Sequence, residues 1–173
     1  MKRIIAAALC ILTLFNCLNT VSYAKVNASA VQKIVNGSGM ESNIKKKGVS
    51  VVISYNSSYD AISFIGYMEK PNYAYHFDYT LSAKTLKPMI SNGITVDLYD
   101  GSLMDFNKIG TAETKQGAGK ITASTQFKKI DGKFPDANIK DANKNLKKVL
   151  KQWNKLLKKT YGVSLMDLGF DSY

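Results

Sequence analysis

The clearest pattern of apolar and polar positions lies near the C-terminal end of the chain. Apolar residues recur at every third or fourth position across residues 139–161, which is the spacing of one face of a helix. Pro135 stands just before this run, where proline is favoured, and Gly162 supplies a usual C-terminal stop. The pattern predicts a long amphipathic helix over residues 137–161.

Between residues 48 and 128 the pattern changes to that of β-strands. Most runs alternate, which is typical of strands with one buried face, whereas residues 61–68 are apolar on both faces, as in a central strand. The clearest run is 73–81, where Tyr, Tyr, Phe, Tyr and Leu alternate with Ala, His, Asp and Thr. Groups of Asn, Gly, Ser, Pro or Asp separate the runs about every ten residues, as in antiparallel sheets. The predicted strands are 49–55, 61–68, 73–81, 94–98, 109–114 and 120–127.

The remaining segments complete the predicted architecture. A short helical pattern covers residues 26–36, and the polar stretch 38–47, which ends in consecutive lysines, predicts a loop. We therefore expect a single small globular domain over residues 25–173 with an α+β fold. Its antiparallel sheet has about six strands, and the long C-terminal helix packs on one face of that sheet.

Residues 1–24 have the three-part pattern of a secretory signal peptide. Lys2 and Arg3 precede an apolar run, and small residues lead up to Ala24. The apolar run is shorter than the ~18–20 residues that a permanent membrane helix needs. We expect cleavage near Ala24 and a secreted protein. An uncleaved anchor is one alternative, and lipid attachment at Cys17 is another, although the residues before Cys17 fit a lipoprotein signal poorly.

Composition narrows the class of partner. Both cysteines lie in the signal, so the mature chain has no disulfide, which favours a bacterial exported protein over a small animal secreted domain. Loss of Lys2 and Arg3 with the signal lowers the formal net charge from +11 to +9. A basic chain favours anionic partners, and lysine favours diffuse attraction over bidentate recognition. We expect the partner to be an anionic cell-envelope polymer or an extracellular protein.

The predicted C-terminal helix offers the first candidate binding surface. Eight lysines lie within residues 140–159, beside the apolar stripe. Such a face is typical of a helix that binds an anionic surface, and also of a helix that covers a sheet and keeps its lysines in water. The candidate binding residues on this face are Lys147, Lys151, Lys155 and Lys158.

The aromatic side of the predicted strand at 73–81 offers the second candidate binding surface. Tyr73, Tyr75, Phe77 and Tyr79 share one face of that strand. A row of rings can stack against sugars or bases, and it can equally supply much of a core. The candidate ligand-binding residues here are Tyr73, Tyr75 and Tyr79, with burial as the alternative.

The residues leave few routes to catalysis. The mature chain has no thiol nucleophile. It has one histidine, His76, and no Gly-x-Ser-x-Gly motif that would supply a serine nucleophile for it to activate. His76 and Asp78 share a strand face and could act as an acid and base or hold a metal, but a catalytic zinc needs three protein ligands. The segment 117–120 lacks the residues of a phosphate-binding loop. We expect no metal, no nucleotide and no other cofactor.

Carboxylates provide two further possibilities. Asp97, Asp100 and Asp105 lie near a glycine turn and could bind calcium, although their spacing is not that of an EF-hand. A glycan hydrolase could use Glu41, Glu69 or Glu113 as its acid, with a second carboxylate about 5–10 Å away.

Taken together, the residues favour a non-enzymatic binding protein that acts at the bacterial cell surface or in the medium. An inhibitor or effector of another extracellular protein is one alternative. A carboxylate-dependent hydrolase of wall glycans is the other, because that chemistry needs neither a thiol nor a histidine.

Overall fold

The computed structural model describes residues 25–37, 42–46, 48–91, 93–101, 107–114 and 126–170. The predicted signal peptide over residues 1–24, including Cys17, lies outside the described residues. So do Glu41, Asp105 and the segment 117–120.

The sheet is an antiparallel meander in which every strand pairs with its neighbours in the chain. Its seven strands are β1 (Ser42–Lys46), β2 (Val49–Asn56), β3 (Ala61–Glu69), β4 (Tyr73–Ser82), β5 (Thr95–Asp100), β6 (Lys108–Thr114) and β7 (Phe127–Gly132). A long helix near the C-terminus packs on this sheet, so the predicted α+β fold is confirmed.

Two segments differ from the prediction. The polar stretch predicted as a loop contains β1, which pairs with β2 from Ser42 opposite Ile53 to Lys46 opposite Val49. Strand β1 is an edge strand, and polar residues are usual at a sheet edge, so the missing alternation concealed it. The last strand was predicted to end at Phe127, whereas β7 begins there, because the exposed Lys128, Lys129 and Ile130 give no one-sided apolar signal.

Alternation along the central strands separates two faces of the sheet. The inner face carries the core residues, among them Val51 and Ile53 of β2 and Phe64 of β3, all 0% exposed. The intervening positions form the outer face, where some side chains, such as His76 and Asp78 of β4, are partly exposed and others, such as Ala74 and Thr80, are buried. Among the described elements, the helices pack with the inner face, so the outer face has no covering helix.

The long helix α2 (Asp136–Tyr161) covers the inner face. Its apolar stripe is buried and comprises Ala142, Leu146, Val149, Leu150, Trp153, Leu156 and Leu157. Trp153 donates a hydrogen bond from Nε1 to the Ile65 carbonyl at 2.9 Å, and its ring meets Phe64 edge-on with centroids 5.9 Å apart. The helix approaches the sheet closely at Gly66, where an added Cβ would lie 2.9 Å from Val149 Cγ1. The amphipathic pattern thus places one face of α2 in the core.

The ends of α2 follow from the residues there. Pro135 is the extended N-cap residue, and its carbonyl accepts the first helical hydrogen bond from Ile139. Gly162 ends the helix with a φ of 66°, a left-handed conformation that costs glycine little. These bounds begin one residue before the predicted helix and end at the same residue.

A short helix and the C-terminal segment complete the core. Helix α1 (Ala28–Asn36) is capped by Asn27, whose side-chain oxygen accepts from the Ser29 backbone N–H at 2.9 Å. Its buried residues are Ala30, Val31 and Ile34. A 3-10 turn (Met166–Leu168) then leads to Phe170, whose ring lies 5.0 Å from that of Tyr79. Both segments therefore close the core at the side that α2 leaves uncovered.

Candidate binding surfaces

The tyrosine row of β4 lies in the core. Tyr75 is 0% exposed and Tyr79 is 2% exposed. The Tyr75 hydroxyl donates to the Asn138 carbonyl at 3.0 Å, and burial raises the pKa of Tyr79 to about 12. Only Tyr73 remains partly exposed among these three candidates, and its hydroxyl donates to Asp141 of α2 at 3.2 Å. Tyr75 and Tyr79 are covered by α2 and Phe170, so the ligand-binding interpretation of these two is corrected in favour of burial, the stated alternative.

The lysines of α2 lie on the side of the helix opposite its buried stripe. Six of the eight lysines follow one another at intervals of three or four residues, so they form a single line along the helix. All are exposed, and we call them the lysine ridge: Lys140, Lys144, Lys147, Lys151, Lys155 and Lys158. With a rise of 1.5 Å per residue, the ridge is about 27 Å long. Four of its six members are the predicted candidates.

The lysine ridge has few acidic neighbours. The two ion pairs found among the described residues are Lys108 with Asp97 and Lys129 with Asp136, and neither uses a ridge lysine. Asp141, the other acid of α2, accepts a hydrogen bond from the Tyr73 hydroxyl. The ridge is therefore an extended row of positive charge facing solvent.

A second group of polar side chains lies on the outer face of the sheet. His76 and Asp78 of β4 share this face, as their spacing predicts. The register places His76 opposite Tyr67 of β3 on one side and opposite Asp97 of β5 on the other. The Tyr67 and His76 rings are stacked, with centroids 5.0 Å apart and planes 18° from parallel.

Asp97 has its own partners in this group. Its Oδ1 atom accepts from the Thr111 hydroxyl and lies 3.3 Å from the Lys108 ammonium nitrogen. Asp78 accepts from the Thr80 hydroxyl at 3.1 Å. The predicted neighbour of His76 was Asp78 alone, so Tyr67, Asp97 and Lys108 are additions that the structure makes.

Burial sets the ionisation of this group. It lowers the pKa of His76, against the opposing effect of the Asp78 and Asp97 carboxylates, while Lys108 adds to the lowering. Burial also raises the pKa of Asp78. His76 Nε2 is buried and makes no hydrogen bond within the described part of the chain. The imidazole is therefore neutral at pH 7, and charging it costs free energy.

This environment makes stability depend on pH through His76. Because the folded-state pKa is below the unfolded value of about 6.5, the unfolded chain binds the proton first, and stability falls as pH drops below that value. His76→Gln removes this contribution. We expect wild type to lose stability relative to His76→Gln between pH 7.5 and 5, as measured by urea unfolding. A constant difference between the two proteins over that range would contradict the prediction.

The carboxylates and the histidine of this group can be compared with the requirements of a metal site. Across the described ranges, no three His, Cys, Asp or Glu side chains are close enough together to hold a metal ion. Of the aspartates considered above for calcium, Asp97 is paired with Lys108 and Asp100 is exposed at the end of β5. Asp105, the third aspartate considered for that site, lies outside the described residues.

The predicted glutamates are far apart. Glu69 ends β3 opposite Ala74 of β4, whereas Glu113 of β6 lies opposite Thr95 of β5. Three strand spacings separate β3 from β6, about 14 Å across the sheet before any offset along it. Glu69 and Glu113 are therefore too far apart to form a hydrolytic pair with each other, which needs ~5–10 Å. This spacing bears on that pair alone and not on a pair of either glutamate with an aspartate.

A shallow groove of about 280 Å³ lies between α1 and the turn after β4. Asp60, in its wall, has a φ of 51° and accepts from the Lys84 backbone N–H at 2.6 Å and the Tyr55 hydroxyl at 3.3 Å. The Asp60 carbonyl accepts from the Ala83 N–H at 2.9 Å. These bonds join the β2–β3 turn to the turn after β4, so Asp60 has a structural role.

Comparison with known proteins gives no relative: no family model, no curated protein and no solved structure matches the chain. None of the helices in the described ranges has the length and apolar character to cross a bilayer. The class that the fold defines is a two-layer α+β domain with a basic helix on one side and, on the other, a sheet face that no helix of the described ranges covers.

Proposed function

We propose that this protein is exported and binds an anionic polymer of the bacterial cell envelope through the lysine ridge, without catalysing a reaction. The observation that carries the proposal is the arrangement of the ridge. Its six lysines are exposed in one line, and in the described structure none of them is in an ion pair. The basic net charge of the chain acts in the same direction.

The chemistry of the ridge indicates the kind of ligand. Lysine ammonium groups attract phosphates as point charges and lack the planar fork with which arginine recognises one phosphate in a fixed geometry. A row about 27 Å long can meet several charges of a flexible polymer at once. We therefore propose a phosphate-rich wall polymer as the ligand, bound through many weak contacts.

Binding to purified wall teichoic acid tests this proposal. The mature chain is titrated at several NaCl concentrations between 50 and 500 mM, beside the variant with Lys147, Lys151, Lys155 and Lys158 changed to Gln. Each lysine that neutralises a phosphate contributes about 0.7 to the slope of log affinity against log salt, so we expect the slope to fall by about 3 in the variant.

The control variant changes Lys25, Lys33, Lys84 and Lys87 to Gln. These lysines are exposed and lie outside α2, so the same four charges are lost away from the ridge. We expect this control to retain most of the salt slope. The proposal is wrong if wild type does not bind, or if the two variants lose affinity and slope equally.

A further inference from the structure

Three rings stand in a row on the outer face of the sheet. Tyr67 of β3 lies opposite His76 of β4, and Tyr99 of β5 lies two residues beyond Asp97, the partner of His76. We call Tyr67, His76 and Tyr99 the ring row. All three side chains are partly exposed, in contrast to Tyr75 and Phe77 on the inner face of β4.

The charges around the ring row are nearly balanced. Asp97 is paired with Lys108, and Glu113 lies opposite Lys128 in the register of β6 and β7. The pKa of His76 is lowered by burial, so the imidazole adds no charge at pH 7. This surface therefore lacks the one-sided charge of the lysine ridge, and a polyanion has no electrostatic reason to prefer it.

What remains around the rings is hydrogen-bonding capacity. Thr95 lies opposite Asp78 in the register of β4 and β5, and its hydroxyl is at 3.5 Å from the Asp78 carbonyl. Asp78 accepts one bond from Thr80, and a carboxylate can accept several. The buried His76 Nε2 has no partner in the described structure, and a buried polar atom of this kind requires an explanation.

We propose that the ring row and the polar groups beside it bind a neutral polysaccharide chain. The faces of a sugar ring carry C–H groups that pack on the electron-rich faces of aromatic rings, while its hydroxyls donate to carboxylates and accept from other donors. Tyr99, together with the faces of the Tyr67–His76 stack that are turned away from each other, supplies the first kind of contact. The Asp78 carboxylate and the oxygen of the Thr95 hydroxyl, whose proton goes to the Asp78 carbonyl, supply acceptors for the second. This proposal does not depend on the lysine ridge, which lies on the opposite side of the domain.

The shape of the surface favours a chain over a single sugar. No helix of the described residues covers the outer face, and Tyr67 and Tyr99 lie two strand spacings apart, about 10 Å across the sheet. A single sugar can contact one of these rings, whereas a chain can contact both. An oligosaccharide of several units is therefore expected to bind more tightly than a monosaccharide.

The experiment measures binding of three neutral hexasaccharides to the mature chain by calorimetry in 0.5 M NaCl. The probes are the hexamers of N-acetylglucosamine, β-1,4-glucose and α-1,4-glucose, and the high salt suppresses attraction to the lysine ridge. We expect at least one probe to bind. Tyr67→Ala and Tyr99→Ala should each weaken that binding at least tenfold.

The matched control is Tyr59→Ala. Tyr59 lies in the β2–β3 turn, is 73% exposed and belongs to neither surface, so its loss should leave binding unchanged. Backbone amide shifts of the wild-type protein provide a readout that needs no variant: the bound probe should move signals of β3, β4 and β5 near the ring row. The proposal is wrong if no probe binds at millimolar concentration, if the moved signals lie elsewhere, or if correctly folded Tyr67→Ala and Tyr99→Ala bind as wild type does.

Discussion

Trp153→Ala is expected to lower the free energy of unfolding by about 3–5 kcal/mol, the usual cost of removing a buried tryptophan. Trp153 is 0% exposed and is the one tryptophan of the chain. The substitution leaves a cavity between α2 and the sheet beside Phe64. It also removes the hydrogen bond to the Ile65 carbonyl. Urea unfolding followed by circular dichroism measures the loss.

Trp153→Phe separates the two contributions. Phenylalanine keeps an aromatic ring against Phe64 and cannot donate to the Ile65 carbonyl, so its cost should lie well below that of alanine. A loss below ~1 kcal/mol for Trp153→Ala would mean that α2 does not pack on the inner face as described.

Leu150→Ala should cost about 2–5 kcal/mol, because Leu150 is 0% exposed in the stripe of α2 that covers the sheet. Trp153 remains in this variant, so its fluorescence can follow urea unfolding. The control is Lys151→Ala, one residue further along and exposed, for which a change within about 0.5 kcal/mol is expected. Equal effects of the two substitutions would show that the apolar stripe is not the buried side of the helix.

The sequence predicts α2 well because its signals are local. The apolar stripe lies in the helix and Pro135 and Gly162 lie directly beside its ends, so together they mark the bounds to within one residue. The strands with one buried face were also predictable, since alternation requires only that one side of a strand meets the core. By contrast, β1 has no such alternation, and only its pairing with β2 makes it a strand.

The alternation along β4 does not predict which of its two faces packs in the core and which faces solvent. The tyrosine face and the His76 face are both plausible surfaces from the sequence, and packing against α2 decides between them. The Tyr67–His76 pair was within reach, because both residues are equally far from the turn at Pro71 and Asn72. The pairing of His76 with Asp97 could not be predicted from the sequence, because a long connection separates β4 from β5 and sets no register.

The order of strands in the meander has a consequence for how the sheet forms during synthesis. Each strand pairs with the strand synthesised just before it, so the sheet can extend hairpin by hairpin as the polypeptide lengthens. Its inner face, however, has no cover from α2, the longest helix described, until residues 136–161 have been made. During that interval Phe64 and Phe77 lack the helix that buries them in the finished protein. The time between completion of β7 and arrival of α2 is thus when aggregation of the nascent chain is most favourable.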